Sequence, residues 1–229
     1  MINLYIIDVF YSQPLPTEVL PLAAYLTAVA VAKCNITKDD LEILSVAAVR
    51  LAAKLESQHS LCSDVTDEFD SRRLDRLERQ ICRATEFRLM LCSALFFMRL
   101  LQKLTQKHTW QWKFAKFACQ LAYCQIELAT LKPSLLAGVV MRLSCLLAND
   151  DSWTADCYSV IREDRSEYDL PQAILCRLIL TTRRSLEFEE SYLRHRHTID
   201  HVVSLRPKWI EEQAELANHI EMLGNHYFP

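Results

Sequence analysis

Glycine is nearly absent from this chain of 229 residues, which contains only Gly138 and Gly224. Tight β-hairpins and loops that cradle phosphate both depend on glycine, because they need backbone conformations that other residues avoid. The composition therefore argues against a sheet built from hairpins and against a phosphate-binding loop. Leucine and alanine dominate instead, and we predict an all-α protein.

Long apolar runs and a strong charge of either sign are also missing. No apolar run reaches 18 residues, and the closest, residues 15–32, contains Pro16, Glu18 and Pro21, which suit a core helix better than a membrane span. The N-terminus has no basic region and Asp8 interrupts its apolar residues, so a signal peptide is not expected. The formal net charge of −3 predicts no long-range attraction to nucleic acid or to anionic membranes.

Cysteine is plentiful, with nine residues, yet it indicates neither a disulfide framework nor a metal motif. The number is odd, no pair has Cys-x-x-Cys spacing, and most lie inside apolar helical patterns, where a free thiol behaves as a small hydrophobic side chain. Buried reduced thiols are typical of proteins of the cytosol or the nucleus. We therefore expect one of these two locations.

Residues 41–56, LEILSVAAVRLAAKLE, have the three-and-four apolar spacing of a helix that is buried on more than one side. Several alanines let neighbouring helices approach closely, and Thr37 with Asp40 gives a capping signal just before the helix. Lys54 breaks the apolar pattern near the C-terminal end. A surface lysine that favours the helix dipole explains it as well as a binding residue does.

Other helical segments surround this one, and their order is repeated along the chain. Two small-residue segments, SVAAVRLAAKL and SLLAGVVMRLSCL, hold equivalent places in the two halves, which indicates a tandem of related helical bundles. A more polar helical extension follows them. The predicted helices span residues 2–11, 19–32, 41–56, 72–85 and 93–104 in the first half, 112–126, 134–147, 153–161 and 171–183 in the second, and 185–220 in the extension.

This order of helices resembles the cyclin fold, in which two five-helix boxes follow each other. VAAVRLAAKLES is similar to the third helix of a cyclin N-terminal box, and LERQICRATEFRL, residues 77–89, is similar to its fifth helix and the Phe after it. KFACQLAYCQIELATLKPSLLAGVVMRL, residues 116–143, resembles the first two helices of the C-terminal box. The resemblance implies an N-terminal box at 1–105 with a truncated first helix, a C-terminal box at 110–184 and an extension at 185–229.

The resemblance also implies a function, because in cyclins a lysine and a glutamate of these two helices flank the groove that receives a cyclin-dependent kinase. Hydrogen bonds that involve an ion are stronger than neutral ones and suit that task. By resemblance, Lys54 and Glu78 take these roles, and Leu55 and Leu51 add apolar contact area. The chain is then a regulatory subunit that binds and activates such a kinase, not an enzyme, with no cofactor and no small-molecule substrate.

The first helix departs from the family in its substrate-docking patch. Cyclins usually carry Met-Arg-x-x-Leu-x-x-Trp there, whereas the matching positions are Ile2, Asn3, Ile6 and Val9. The acid of the second helix that pairs with the family's arginine is replaced by Thr27, so that both ends of the pair are missing together. We expect a degenerate patch, with Ile2, Ile6 and Val9 in place of a docking site for Arg-x-Leu substrates.

An alternative hypothesis keeps the cyclin fold without kinase activation. The segment after Lys54 lacks the Glu-Glu and Pro-Pro that often follow the lysine, and it is similar to divergent cyclin-like proteins of meiotic crossover control. A scaffold at a nuclear or chromosomal complex fits that type, and we expect the nucleus before the cytoplasm. For Glu78 the alternative is a solvated pair with Arg79 or Arg83 of its own helix.

A group of histidines near the C-terminus has some metal-binding character. The arginines around it oppose a dication, so we predict a solvated basic segment and no metal site. Direct nucleic-acid binding is not indicated either, because no interleaved aromatic residues provide a stacking platform. The residues concerned are His195, His197, Asp200 and His201.

Overall fold

The computed structural model describes residues 2–57, 68–89, 92–105, 109–183 and 189–227. Every regular element within these ranges is a helix, which confirms the predicted all-α class. No helix in these ranges combines the length and the apolar character that a bilayer span requires. The chain divides into two compact units, Met1–Ser93 and Ala94–Pro229.

The first unit is built around one helix that carries many small side chains. This helix contacts the three other described helices of the unit. Its alanines at 47, 48, 52 and 53 have no exposed surface, so that neighbouring backbones approach it closely on more than one side. The helices are α1 (Ile2–Ser12), α2 (Val19–Lys33), the central α3 (Leu41–Glu56) and α4 (Ser71–Ala84).

The start of α3 is defined by the predicted capping pair. Thr37 Oγ1 donates to Asp40 Oδ2 over 2.6 Å and the backbone N–H of Thr37 donates to the same oxygen over 3.4 Å. The pair closes a 3-10 turn, Lys38–Asp40, that leads directly into the helix. The hydrogen bond from Thr37, followed by that from Arg73, lowers the pKa of the Asp40 carboxyl. The capping prediction is thus confirmed, one short turn ahead of the α-helix.

The second unit repeats this plan around a second small-residue helix. That helix, α8, contacts five other helices of the unit and occupies the position that α3 has in the first. The order along the chain is α5 (Ala94–Thr105), α6 (Thr109–Ala122), α7 (Ile126–Ala129), α8 (Pro133–Ala148), α9 (Ala155–Ile161), a 3-10 turn (Arg165–Tyr168), α10 (Asp169–Thr182), α11 (Glu189–Leu205) and α12 (Pro207–Tyr227).

Two features of the second unit differ from the sequence-based expectation. The helix predicted at 93–104 lies within the predicted first box. The corresponding helix of the structure, α5, packs on α8 within the second unit. The extension consists of two helices, and α12 packs along α10. The apolar periodicity of a helix indicates which of its faces is buried, but not which other helix covers that face. The compact unit to which a helix belongs therefore cannot be predicted from periodicity. The extents of the two boxes stay a prediction.

Gly138 of α8 faces the ring of Tyr168 and has no room for a side chain. A Cβ atom at this position would lie 2.9 Å from both Tyr168 Cε1 and Tyr168 Oη. The ring is fully buried, with Tyr158 at 5.4 Å and the guanidinium of Arg142 5.6 Å from its centre. The ring therefore has little space into which it could move.

We expect Gly138→Ala to destabilise the protein by about 1–3 kcal/mol through overpacking. The sign is diagnostic, because the same change in an open helix stabilises by roughly 1 kcal/mol. Urea unfolding followed by circular dichroism measures the difference. Combining the change with Tyr168→Leu, which removes the ring, should recover part of the loss relative to Tyr168→Leu alone. An unchanged or higher stability of Gly138→Ala would contradict the packing described.

Candidate functional site

Lys54 and Glu78, which the resemblance assigns to the candidate site, are in direct contact in the structure. Lys54 lies in the last turn of α3, and its Nζ donates to Glu78 Oε1 over 2.8 Å and to Oε2 over 2.7 Å. The alternative, a pair between Glu78 and an arginine of its own helix, is not found among the described residues. Arg79 Nε instead donates to the backbone carbonyl of Asp75. The pair therefore joins α3 to α4.

A third charged residue, Arg50, was missed by the sequence analysis. Arg50 lies one turn before Lys54, and its Nε is 2.9 Å from Glu78 Oε1, while its Nη2 contacts Asp75. The exposed fractions of the side chains are 19% for Arg50, 13% for Glu78 and 44% for Lys54. Glu78 thus has an inner and an outer cation. The spacing of Arg50 and Lys54 on one helix face could have revealed the cluster.

Exposed apolar side chains lie beside this cluster in sequence and in the same unit. Leu55 is exposed, whereas Leu51 is buried and contributes to the core. Phe87 follows α4 and is 72% exposed, with a positive φ of 59°. Its N–H donates to the carbonyl of Cys82 over 2.8 Å and so closes the helix. A bulky residue held exposed in this conformation is unusual and marks a candidate contact residue.

The positions of the degenerate docking patch differ in their burial. Ile6 is buried, Val9 is half-buried, and the side chain of Ile2 lies outside the described residues. Thr27, the counterpart of the family's acid, is also buried. A carboxylate at that depth would need a cationic partner, and none of the described positions of α1 supplies one. That this degenerate patch does not dock Arg-x-Leu substrates stays a prediction.

The histidines near the C-terminus have separate partners. His195 packs against Phe117 with ring centres 5.0 Å apart, and its burial, aided by Arg194 and Lys116, lowers the pKa to about 4. His201 stacks edge-on against Trp110. Across the described ranges, no three metal-ligating side chains come together.

Cys82, one turn after Glu78 on α4, offers a local probe of the charge cluster. Partial burial and, second, the negative charge of Glu78 raise the pKa of this thiol, while Lys54 opposes them. We therefore expect Glu78→Gln to speed alkylation of Cys82 and Lys54→Met to slow it, because the thiolate is the reactive form. Iodoacetamide labelling with peptide-resolved mass spectrometry measures both rates. A pH of about 8.5 is suitable, because it is close to the reference pKa of a thiol.

The opposite signs separate electrostatics from unfolding, which would speed alkylation in both variants. Labelling of Cys124 in the same samples serves as the internal control, since this half-buried thiol lies in the second unit. Rates of Cys82 that move in the same direction in both variants would contradict the charge arrangement.

Comparisons with known proteins agree with this fold. Residues 1–90 match the family model of the cyclin N-terminal domain. The G2/mitotic-specific cyclin-B proteins of Hydra viridissima and Hydra vulgaris are 28% and 27% identical in alignments of 158 residues that cover 64% of this chain. The matches cover 39% and 43% of those relatives, so that the chain spans less than half of their length.

A solved structure extends the likeness beyond the first unit. A chain of the crystal structure of the yeast RNA Pol II CTD kinase CTDK-1 complex is similar with a TM-score of 0.59, over 86% of this chain and 74% of that chain. The sequence identity is 11%, so this likeness concerns the fold. The predicted cyclin fold is confirmed, and residues 1–90 carry the similarity to the cyclin N-terminal domain.

Proposed function

We propose that this chain is a regulatory subunit that binds and activates a cyclin-dependent protein kinase, and that the exposed ends of α3 and α4 receive the kinase. In this role the chain performs no catalysis itself. The proposal is supported by the match of residues 1–90 to the cyclin N-terminal domain. The contact between Lys54 and Glu78, the two residues that the resemblance assigns to the kinase groove, supports it as well.

The observation that carries the proposal is the Lys54–Glu78 pair, in a unit that also exposes the apolar side chains of Leu55 and Phe87. Lys54 is half exposed, so its ammonium can turn from the carboxylate to a carbonyl of a partner at small cost. Glu78 Oε2 contacts Lys54 Nζ, so this oxygen becomes an acceptor for the partner when Lys54 turns away. Leu55 and Phe87 are exposed and offer apolar contact area. Charged groups fix the register of a bound segment, and apolar groups add affinity.

The implied mechanism is conformational. A kinase of this class is active only when a lysine and a glutamate of its own fold form an ion pair, and the position of a mobile helix controls that pair. Binding of this helix to the α3–α4 face would stabilise the active position, because only that position makes the contacts. A role in the cell cycle follows from this proposal, and a nuclear location and a meiotic role stay predictions.

The first test replaces both charged residues. We expect Lys54→Ala with Glu78→Ala to weaken kinase binding at least about 30-fold, because truncating hydrogen-bonded charges in an interface costs 2 kcal/mol or more. Co-purification with cyclin-dependent kinases, followed by phosphorylation of a generic substrate peptide by the purified complex, measures binding and activation separately.

Lys132→Ala with Glu163→Ala provides a matched control. This pair in the second unit has the same chemistry, with Nζ 3.0 Å from both carboxylate oxygens and a similarly shielded glutamate. Normal kinase stimulation by the Lys54/Glu78 variant would refute the site. Kinase binding by the unaltered chain without any stimulation would instead favour the scaffold alternative.

A second test concerns Arg50 as a positioning residue for Glu78. We expect Arg50→Met to weaken kinase binding roughly tenfold, because Glu78 loses the cation that orients it from the inner side. In a double-mutant cycle, Arg50→Met should be coupled to Glu78→Gln but additive with Leu55→Ala. Arg50→Lys should restore binding only in part, since lysine cannot contact two carboxylates with a planar fork. Additivity of Arg50→Met and Glu78→Gln would exclude this role.

A further inference from the structure

The charges of the chain are distributed unevenly along its sequence. Residues 87–126 contain no Asp or Glu, although acidic residues outnumber basic ones in the whole chain. This 40-residue stretch includes all of α5 and α6. Its basic residues are Arg88, Arg99, Lys103, Lys107, Lys113 and Lys116. The stretch therefore carries six positive charges and no negative one, in a chain whose formal net charge is −3.

Helix α5 presents two apolar faces, of which the described structure covers one. Its inner face, which includes Leu95, Met98 and Leu101, is buried against the second unit. On the opposite side Phe96, Leu100 and Leu104 are 52%, 38% and 47% exposed.

These three residues follow one another at intervals of four and form a stripe about 12 Å long on the helix surface. The ring of Phe96 is supported edge-on by Phe97, with ring centres 5.4 Å apart. We call the stripe and the adjacent Lys103 the outer face of α5.

The pattern of this face differs from ordinary surface exposure. Single exposed leucines are common, whereas a continuous apolar stripe on a monomer usually marks an interaction surface. Apolar residues at i, i+4 and i+8 match the way in which one amphipathic helix packs against another. Lys103 is exposed within the stripe, between Leu100 and Leu104 along the helix.

The charge of the surrounding stretch determines which partner fits. An amphipathic helix with acidic residues beside its apolar stripe would place carboxylates close to Lys103, whereas a basic one would be repelled. Isologous pairing with a second copy of α5 would bring equal charges together and is disfavoured. We propose that the outer face of α5 binds an acidic amphipathic helix of a partner protein, a role independent of the kinase-binding face.

The test uses the full chain and a labelled synthetic peptide of about 15 residues, with leucines at intervals of four and glutamates beside them. A matched peptide has lysines in place of the glutamates. We expect fluorescence anisotropy to show at least tenfold tighter binding of the acidic peptide at about 50 mM salt, with a smaller difference at about 500 mM.

Variants locate the binding on the molecule. Leu100→Asp should reduce the affinity for the acidic peptide at least tenfold, and Lys103→Glu should reduce the preference for the acidic peptide over the basic one. Leu216→Asp on α12 is the matched control, because Leu216 is 44% exposed and lies far along the chain from α5. Circular dichroism verifies the fold, and Leu100→Gln replaces Leu100→Asp if the latter unfolds.

Several results would overturn the proposal. Equal affinity for the two peptides would show that charge does not select the partner, and an equal loss in Leu216→Asp would place the binding elsewhere. Light scattering that shows a dimer abolished by Leu100→Asp would assign the face to a second copy of the chain. Sedimentation with phosphatidylserine vesicles that requires Phe96 and Leu100 would assign it to a membrane.

Discussion

The close packing of α3 is the constraint on which the candidate site depends. Four alanines of this helix are completely buried, and α1, α2 and α4 all contact it. Small side chains let the helix axes approach, so that Lys54 and Glu78 meet although they lie 24 positions apart in the sequence. A larger residue at Ala52 or Ala53 would overfill this core and disturb the packing of the surrounding helices. The geometry of the charged pair is therefore a consequence of an apolar interface below it.

Within the charged cluster, the two cations differ in exposure and serve different purposes: the shielded one orients Glu78, and the exposed one is available to a partner. Arg50 is shielded and can contact two carboxylates at once through its planar guanidinium, which suits a constant structural contact. Lys54 is more exposed, and an ion pair of this kind contributes at most about 1 kcal/mol. The outer contact can thus be exchanged for a partner while the inner one keeps Glu78 oriented. Without Arg50, the carboxylate of Glu78 would have no cation to orient it once Lys54 turned away.

The sequence predicts well those features that depend on local pattern. The bounds Leu41–Glu56 of α3 agree with its apolar periodicity and its cap, because both act within a few residues. The position of Lys54 beside Glu78 came from the resemblance to cyclins, not from periodicity. Arg50 was missed because its contact with Asp75 and Glu78 depends on how α3 crosses α4. Likewise Ile6 occupies a family position, yet its burial is decided by the packing of the whole unit.

The placement of α5 is a second feature that could not be predicted from local sequence pattern. Its apolar content predicts a helix and a buried face correctly, but two faces are apolar and only one is covered in the described structure. Local pattern contains no information about which distant helix provides the cover, and contacts with α8 place α5 in the second unit.

The repeat of the fold without a repeat of the site indicates how a binding face arises in this architecture. Both units are organised around a small-residue helix, yet α8 ends in the uncharged residues LSCLLA, whereas α3 ends in LAAKLE. The one basic residue of α8, Arg142, pairs with Asp169 and lies over the ring of Tyr168, so that it serves packing within its unit. The same interior therefore supports both helices. Polar residues at an exposed helix end, which the core does not require, distinguish the unit that presents a candidate site.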